Sequence, residues 1–271
     1  MAWEDHIVRR VGVRAVKAVY PRFGLRHSDI ILAAFPKTGS TWVRFILANI
    51  VSIKELGGRR VDYNLLNGDL AAEYDPHRYP KIEYRILPRF VKTHMEYERK
   101  RFGRNQALYV CRNPGDTMVS YFEYLRARKG RARYTGDFKS FIRDARYGIQ
   151  GWCRHVLGWR DKATAVLTYE GMKVDGVSAM KSVFEELGVS GIDDELLMQA
   201  IRRSSFSAVR KMEETTGLDS RAERHLDPGF RFARKGVSGE WKHYFDDEDV
   251  EYLRRVANDL GLTEDVLCAE R

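Results

Sequence analysis

Three cysteines in 271 residues are too few for a disulfide framework, and Cys111, Cys153 and Cys268 are odd in number, widely separated and without a partner at metal-ligand spacing. A small secreted scaffold and a cysteine-based metal module are thereby excluded, and a reducing, cytoplasmic setting is expected. No run of 18 apolar residues exists to span a bilayer. The opening MAWEDHIVRR has neither a continuous apolar core nor a small-residue cleavage site, so no secretory leader is expected. Proline is scarce, at seven residues, and no Pro/Ser-rich or low-complexity stretch divides the chain. One domain over 29–271 is expected, preceded by a basic segment over 1–28. Internal repeats are absent, as are a recognisable nucleic-acid-binding module and a stripe of basic and aromatic residues. What is in excess is positive charge, a formal +9 with a pI near 9.4. It asks for an anionic partner, and with nucleic acid unsupported an anionic membrane surface or an anionic small molecule remains.

The stretch Asp29–Ile53, DIILAAFPKTGSTWVRFILANIVSI, is the clearest local signal. Ile30 to Phe35 form a continuous apolar run of strand length, as in a strand covered on both faces, and Pro36 ends it. From Trp42 onward the apolar residues recur every three or four positions, the period of a helix. Between them, Gly39 permits a tight turn and the first helical amides lack intrahelical partners. Lys37 and the hydroxyls of Thr38, Ser40 and Thr41 add charge and donors, so phosphate or sulfate is the expected occupant.

Further along, Arg89–His94 (RFVKTH) reads as a strand whose carboxyl end carries Lys92 and His94, the edge where chemistry gathers in open parallel sheets. Ala107–Arg112 is a second buried strand, followed by the turn NPGD and a helix bearing Ser120. Arg112 and Ser120 are candidate donors to a second phosphate, with an Arg112–Asp116 ion pair as the plainer reading. Phe138–Arg160 reads as helical and rich in aromatics, Ala165–Tyr169 as a strand, and Glu170–Leu187 as a turn and helix. Strands alternating with helices give an α/β fold: a P-loop-like three-layer domain with a central, mainly parallel sheet. Arg234-Lys235-Gly236 followed by Gly239 is a basic, flexible loop suited to closing over an anion, or else a solvated charge run. Residues 54–88 are polar, turn-rich and aromatic, a candidate acceptor surface or lid. Residues 7–20 read as a basic amphipathic helix packed on the domain; the second reading is contact with a membrane surface, which would make the protein peripheral to a membrane.

Taken in order, FPKTGSTW, KTH, YVCRNPGDTMVSYF, YEGMK and RKGVSGEWKHYF resemble the cytosolic-type sulfotransferases over most of the chain, from Asp29 to about Leu260. The resemblance implies 3′-phosphoadenosine 5′-phosphosulfate as sulfuryl donor and no metal. It implies that Lys37, Thr38, Gly39, Ser40 and Thr41 cradle the 5′-phosphosulfate, and that Arg112, Ser120, Arg234, Lys235 and Gly236 hold the 3′-phosphate. It also implies Trp42, Tyr169, Ser204 and Phe206 at the adenine. His94 would be the general base toward an acceptor hydroxyl, Lys37 would stabilise the leaving oxygen, Lys92 would help bind the sulfuryl group and Ser120 would orient Lys37. The acceptor is expected to be a small molecule or lipid, reacting through a hydroxyl or an amine.

Where many relatives place Thr-Val in a dimerisation segment, between positions matched here by Lys242 and Glu251, this chain has Asp246-Asp247, which leaves monomer and dimer both open. Two alternatives stand beside this reading: a P-loop-type nucleotide kinase or nucleotidase, and a non-catalytic nucleotide- or RNA-binding protein. Against the first, a Walker A loop places its lysine after the second glycine, whereas Lys37 precedes Gly39.

Overall fold

A computed structural model describes residues 25–67, 84–218 and 220–262. The basic segment over 7–20, Cys268 and the middle of the 54–88 excursion lie outside the described residues. Four strands form one parallel sheet: β1 (Ile30–Ala34), β2 (Phe90–Thr93), β3 (Ala107–Cys111) and β4 (Ala165–Thr168), in the order β2-β1-β3-β4. Register runs Leu32 beside Lys92 on one side and Leu32 beside Leu108 on the other. The chain thus moves outward from β1 to β2, then crosses back to place β3 on β1's other edge. That reversal opens a crevice beyond the carboxyl ends of β1 and β3, where ligands bind in such sheets.

The apolar run of β1 is buried at every residue because helices cover both faces. Its alternate side chains point to opposite cores. Ile30, Leu32 and Ala34 pack with Val43, Ile46 and Ile50 of helix α1 (Ser40–Glu55). Ile31 and Ala33 join a second cluster built on Trp152 and Trp159, both fully buried. The edge strand β4 alternates instead, with Val166 exposed.

The helix α2 (Pro114–Arg126) follows β3, with Asn113 as its cap, its side chain accepting from the Asp116 amide. The stretch 138–160, expected to be helical, forms two helices: α3 (Phe138–Arg143) and α4 (Ile149–Trp159). The break has a local cause, since the Asp144 carboxylate accepts from the amides of Arg146 and Tyr147 and thereby offers the backbone a turn in place of a helix. Gly148 then restarts the helix where a Cβ would meet the Ile142 carbonyl oxygen at 2.3 Å.

Beyond β4 come a short helix (Tyr169–Val174), then α5 (Gly176–Glu186), α6 (Asp194–Arg203), α7 (Phe206–Thr216) and α8 (Asp247–Asp259). The Asp246-Asp247 pair has a structural explanation: Asp246 caps α8 in a reciprocal capping box with Asp249 and also binds Lys139.

Candidate active site

The loop between β1 and α1 forms the floor of the crevice. Gly39 adopts φ 100°, a conformation that favours glycine, and a Cβ there would stand 2.8 Å from the Tyr169 ring. No side chain caps α1, so its first amides face the crevice as anion donors. Lys37 is itself left-handed, at φ 73°. Its Nζ lies 5.0 Å from the centre of the Tyr124 ring and 4.9 Å from that of Phe232. Burial, with Arg112 next and Arg234 and Lys92 behind it, lowers its pKa to about 7, against a smaller opposing pull from Glu213.

Every candidate residue named from the sequence except Thr38 lines one cavity of about 1520 Å³. Thr38 is a correction in detail. Its hydroxyl is fully buried and is shared between the carbonyls of Phe35 (2.9 Å) and Val110 (3.0 Å), so it ties the loop to β1 and β3 and leaves only its backbone amide for an anion. Ser204 is a second one. Its hydroxyl donates to Ala200 at 2.8 Å and accepts from Asn49 at 3.0 Å, joining α6 to α1, so it forms cavity wall without offering a donor.

His94 follows β2 directly, and its Nδ1 is 2.6 Å from the Ala34 carbonyl. A carbonyl can only accept, so the neutral ring carries its proton on Nδ1 and its lone pair on Nε2. Lys92, in the strand before it, is buried.

At the other side of the crevice Arg112 ends β3. It donates to the Val237 carbonyl at 2.9 Å, stacks 4.4 Å from the centre of Tyr169, and stands 3.7 Å from Asp116. The ion pair considered from sequence therefore exists, but Asp116 has other work. Buried, it accepts from the amides of Gly239 (2.8 Å) and Trp241 (3.1 Å), so it stitches the 234–241 loop onto α2. Within that loop Arg234 and Lys235 both pair with Glu240. Burial alone would lower the Arg234 pKa, but Glu240 more than offsets it and the guanidinium ends above its ordinary value. Gly236, at φ 66°, brings the backbone against Phe206, and Lys173 donates to its carbonyl at 2.9 Å. Trp42 and Tyr169 meet edge to face at 5.6 Å, and the buried Trp42 Nε1 has no hydrogen-bond partner among the described residues. That orphaned donor, the uncapped helix and the two glycine-shaped approaches fit an aromatic base carrying phosphates.

Sequence reasoning missed Glu240, Glu213, Lys173, Arg44 and Arg128. Glu213 is wholly buried, accepts from Tyr63 Oη at 2.8 Å and from the Ala233 amide at 3.1 Å, and has its pKa raised by burial. An acid buried in α7 carries no motif; only Tyr63 in the turn-rich 54–88 segment hinted that this segment reaches the cavity, as Tyr63, Asn64 and Asn67 do.

A parallel sheet with an anion loop on its central strand and a second cationic loop across the crevice defines a nucleotide-phosphate-binding protein of the group-transfer kind. Its family is the sulfotransferases: a family model described as sulfotransferase domain matches residues 27–261, and the chain belongs to that family. Among curated relatives, mouse sulfotransferase 2A6 is 28% identical, with 90% of this chain and 88% of the relative covered. The flavonol 3-sulfotransferase of Flaveria bidentis is 25% identical, with 89% and 84% covered. Among solved structures, mouse sulfotransferase SULT7A1 complexed with PAP superposes with a TM-score of 0.67 at 24% identity, covering 93% of this chain and 92% of that one. Retinol dehydratase in complex with androsterone and the inactive cofactor PAP gives 0.62 at 19% identity, covering 87% and 81%. The chain is thus a sulfotransferase-family enzyme with the expected α/β fold, and the kinase and non-catalytic readings are not favoured.

Proposed function

We propose that this protein moves a sulfuryl group from 3′-phosphoadenosine 5′-phosphosulfate to a hydroxyl of a small-molecule or lipid acceptor, with residues 29–271 acting as one catalytic unit. The observation that carries the reading is convergence: Lys37, Lys92 and His94, from the ends of adjacent strands, line one cavity with Arg112, Arg234 and Lys235. The β1–α1 loop would hold the 5′-phosphosulfate through the amides of residues 38–41, Lys37 and the hydroxyls of Ser40 and Thr41. Arg112, Ser120 and the 234–236 loop would hold the 3′-phosphate, and Trp42, Tyr169 and Phe206 the adenine. Base stacking of this kind contributes ~1–3 kcal/mol.

His94 Nε2 takes the acceptor's hydroxyl proton as the oxygen forms its bond to sulfur. The bond from sulfur to the bridging phosphate oxygen breaks, and the charge left on that oxygen meets Lys37. Lys92 steadies the sulfuryl group in passage. Charge and position carried by the chain's own cations account for the step without a metal. The sparse, odd-numbered cysteines, with Cys111 and Cys153 both buried, support a reducing, cytoplasmic setting.

The first test is nucleotide choice. Calorimetric titration should give tighter binding of 3′-phosphoadenosine 5′-phosphate than of ATP; a preference for ATP overturns the reading.

A further inference from the structure

The donor occupies only part of a cavity of about 1520 Å³, larger than most single-ligand sites. On the proposed reading, its base lies against Trp42 and Tyr169 and its phosphates between Lys37 and the 234–236 loop. What remains is walled by Tyr63, Tyr121, Tyr124 and Phe232, the last two in contact with Lys37. Its charge is one-sided. Arg44, Arg128 and His225 line it, whereas Glu240, the only carboxylate lining the cavity among the described residues, is committed to Arg234 and Lys235.

Arg128 is the informative member. Among the described residues it has no ion pair and no side-chain hydrogen bond, and its Nε is buried without a partner. What holds it is the Tyr124 ring, whose centre lies 5.9 Å from its Cζ and 5.0 Å from Lys37 Nζ. A guanidinium half-withdrawn from water with its donors unspent is an anion receptor. Because one aromatic ring contacts both Lys37 and Arg128, the anion it would bind sits in the same part of the cavity as Lys37.

We infer that the acceptor carries an acidic group as well as the hydroxyl that is sulfated, and that Arg128 binds that acid. This rests on the sulfotransferase reading above, and it names the substrate class of the same site: a compact hydroxylated acid, with carboxylate or phosphate as the shared anionic chemistry.

A matched pair tests it, 4-hydroxyphenylacetate against 4-hydroxyphenylacetamide, which differ in charge and hardly in shape. Binding to the protein loaded with 3′-phosphoadenosine 5′-phosphate is measured by calorimetry, and transfer is measured from labelled donor. The acid should bind about tenfold or more tightly than the amide, a charge-assisted pair against a neutral one. In Arg128→Gln the ratio should collapse toward one, and Arg128→Lys should restore part of it; nucleotide affinity serves as the check on folding. Equal affinities, a ratio that survives Arg128→Gln, or no binding of either compound overturns the inference. An acid preference that depends on Arg128, with no transfer to any acceptor, keeps Arg128 as an anion site but overturns the sulfotransferase reading, and with it the assignment of the bound acid as the acceptor.

Discussion

Lys37 and Arg234 face the same cavity and are kept by opposite means. Arg234 is paired with a carboxylate, Glu240, which also takes Lys235. Lys37 has aromatic faces around it and three other cations acting on it, and its pKa is pushed down to about 7. The first arrangement exchanges one anion for another when a phosphate arrives, so binding there is a substitution with a modest net gain. The second makes the full charge costly until an anion offsets it. A cation whose charge the donor completes is suited to chemistry, and a cation that is already paired is suited to recognition.

The comparison breaks first at His94, where the largest effect is expected. His94→Ala should lower transfer by about 10²–10⁴-fold, the usual worth of a positioned base, while nucleotide affinity stays within about twofold. Initial rates and calorimetry read the two quantities; a fall in affinity matching the fall in rate would erase the division between recognition and chemistry.

Next is Lys37→Met, expected to lower transfer by about 10²–10³-fold, as removal of a charge-stabilising donor does. Its sharper signature is the proton. A folded-state pKa near 7 in the free protein, lowered by burial and by Arg112, must rise again when phosphates replace water around the ammonium. Nucleotide binding should therefore take up a proton at pH values between about 7 and the ordinary lysine range, and none well below 7, where Lys37 already carries one. Titration at pH 8 in buffers of differing ionisation enthalpy measures this, and Lys37→Met should abolish the uptake.

A smaller effect is expected at Asp116, which anchors the recognition side. Asp116→Asn keeps the shape but leaves one acceptor oxygen where the Gly239 and Trp241 amides each use their own, and it turns an NH2 toward the other amide. Urea unfolding should show a loss of about 1–3 kcal/mol, typical of weakened buried hydrogen bonds to a charged group. The smallest change belongs to Glu240→Gln. With the resident carboxylate neutralised, nucleotide affinity should tighten only a few-fold, since the same group also orients the two cations it blocks. Unchanged or weaker binding would mean that Glu240 positions these cations without competing with the phosphate.

Much of this was legible in the chain. The four strands fell within a residue of their positions, β1 and β3 because fully buried strands in a parallel sheet are continuous apolar runs, and the switch to helical period after Gly39 is unambiguous. The anion loop was legible because glycine, lysine and a fresh helix terminus lie within a few residues. What was not legible came from distance. Thr38 looks like a phosphate donor until β3 brings the Val110 carbonyl to it, and the Ser204 hydroxyl, expected at the adenine, already donates to Ala200. Asp116 and Trp241 are far apart in sequence and meet only because the 234–241 loop folds back on α2, with Trp241 against Gly115. The break between α3 and α4 rests on one aspartate competing for local amides, a contest that an apolar period does not register.

The left-handed backbone of Lys37 has a further consequence for anyone redesigning this protein. A non-glycine residue at φ 73° carries about 1–2 kcal/mol that glycine would not. Substitution by glycine is thus the change that a search for thermal stability would favour at position 37, and it is the change that removes the ammonium. Selection for heat resistance and selection for turnover pull in opposite directions at this one residue, so a stabilised library should hold position 37 fixed.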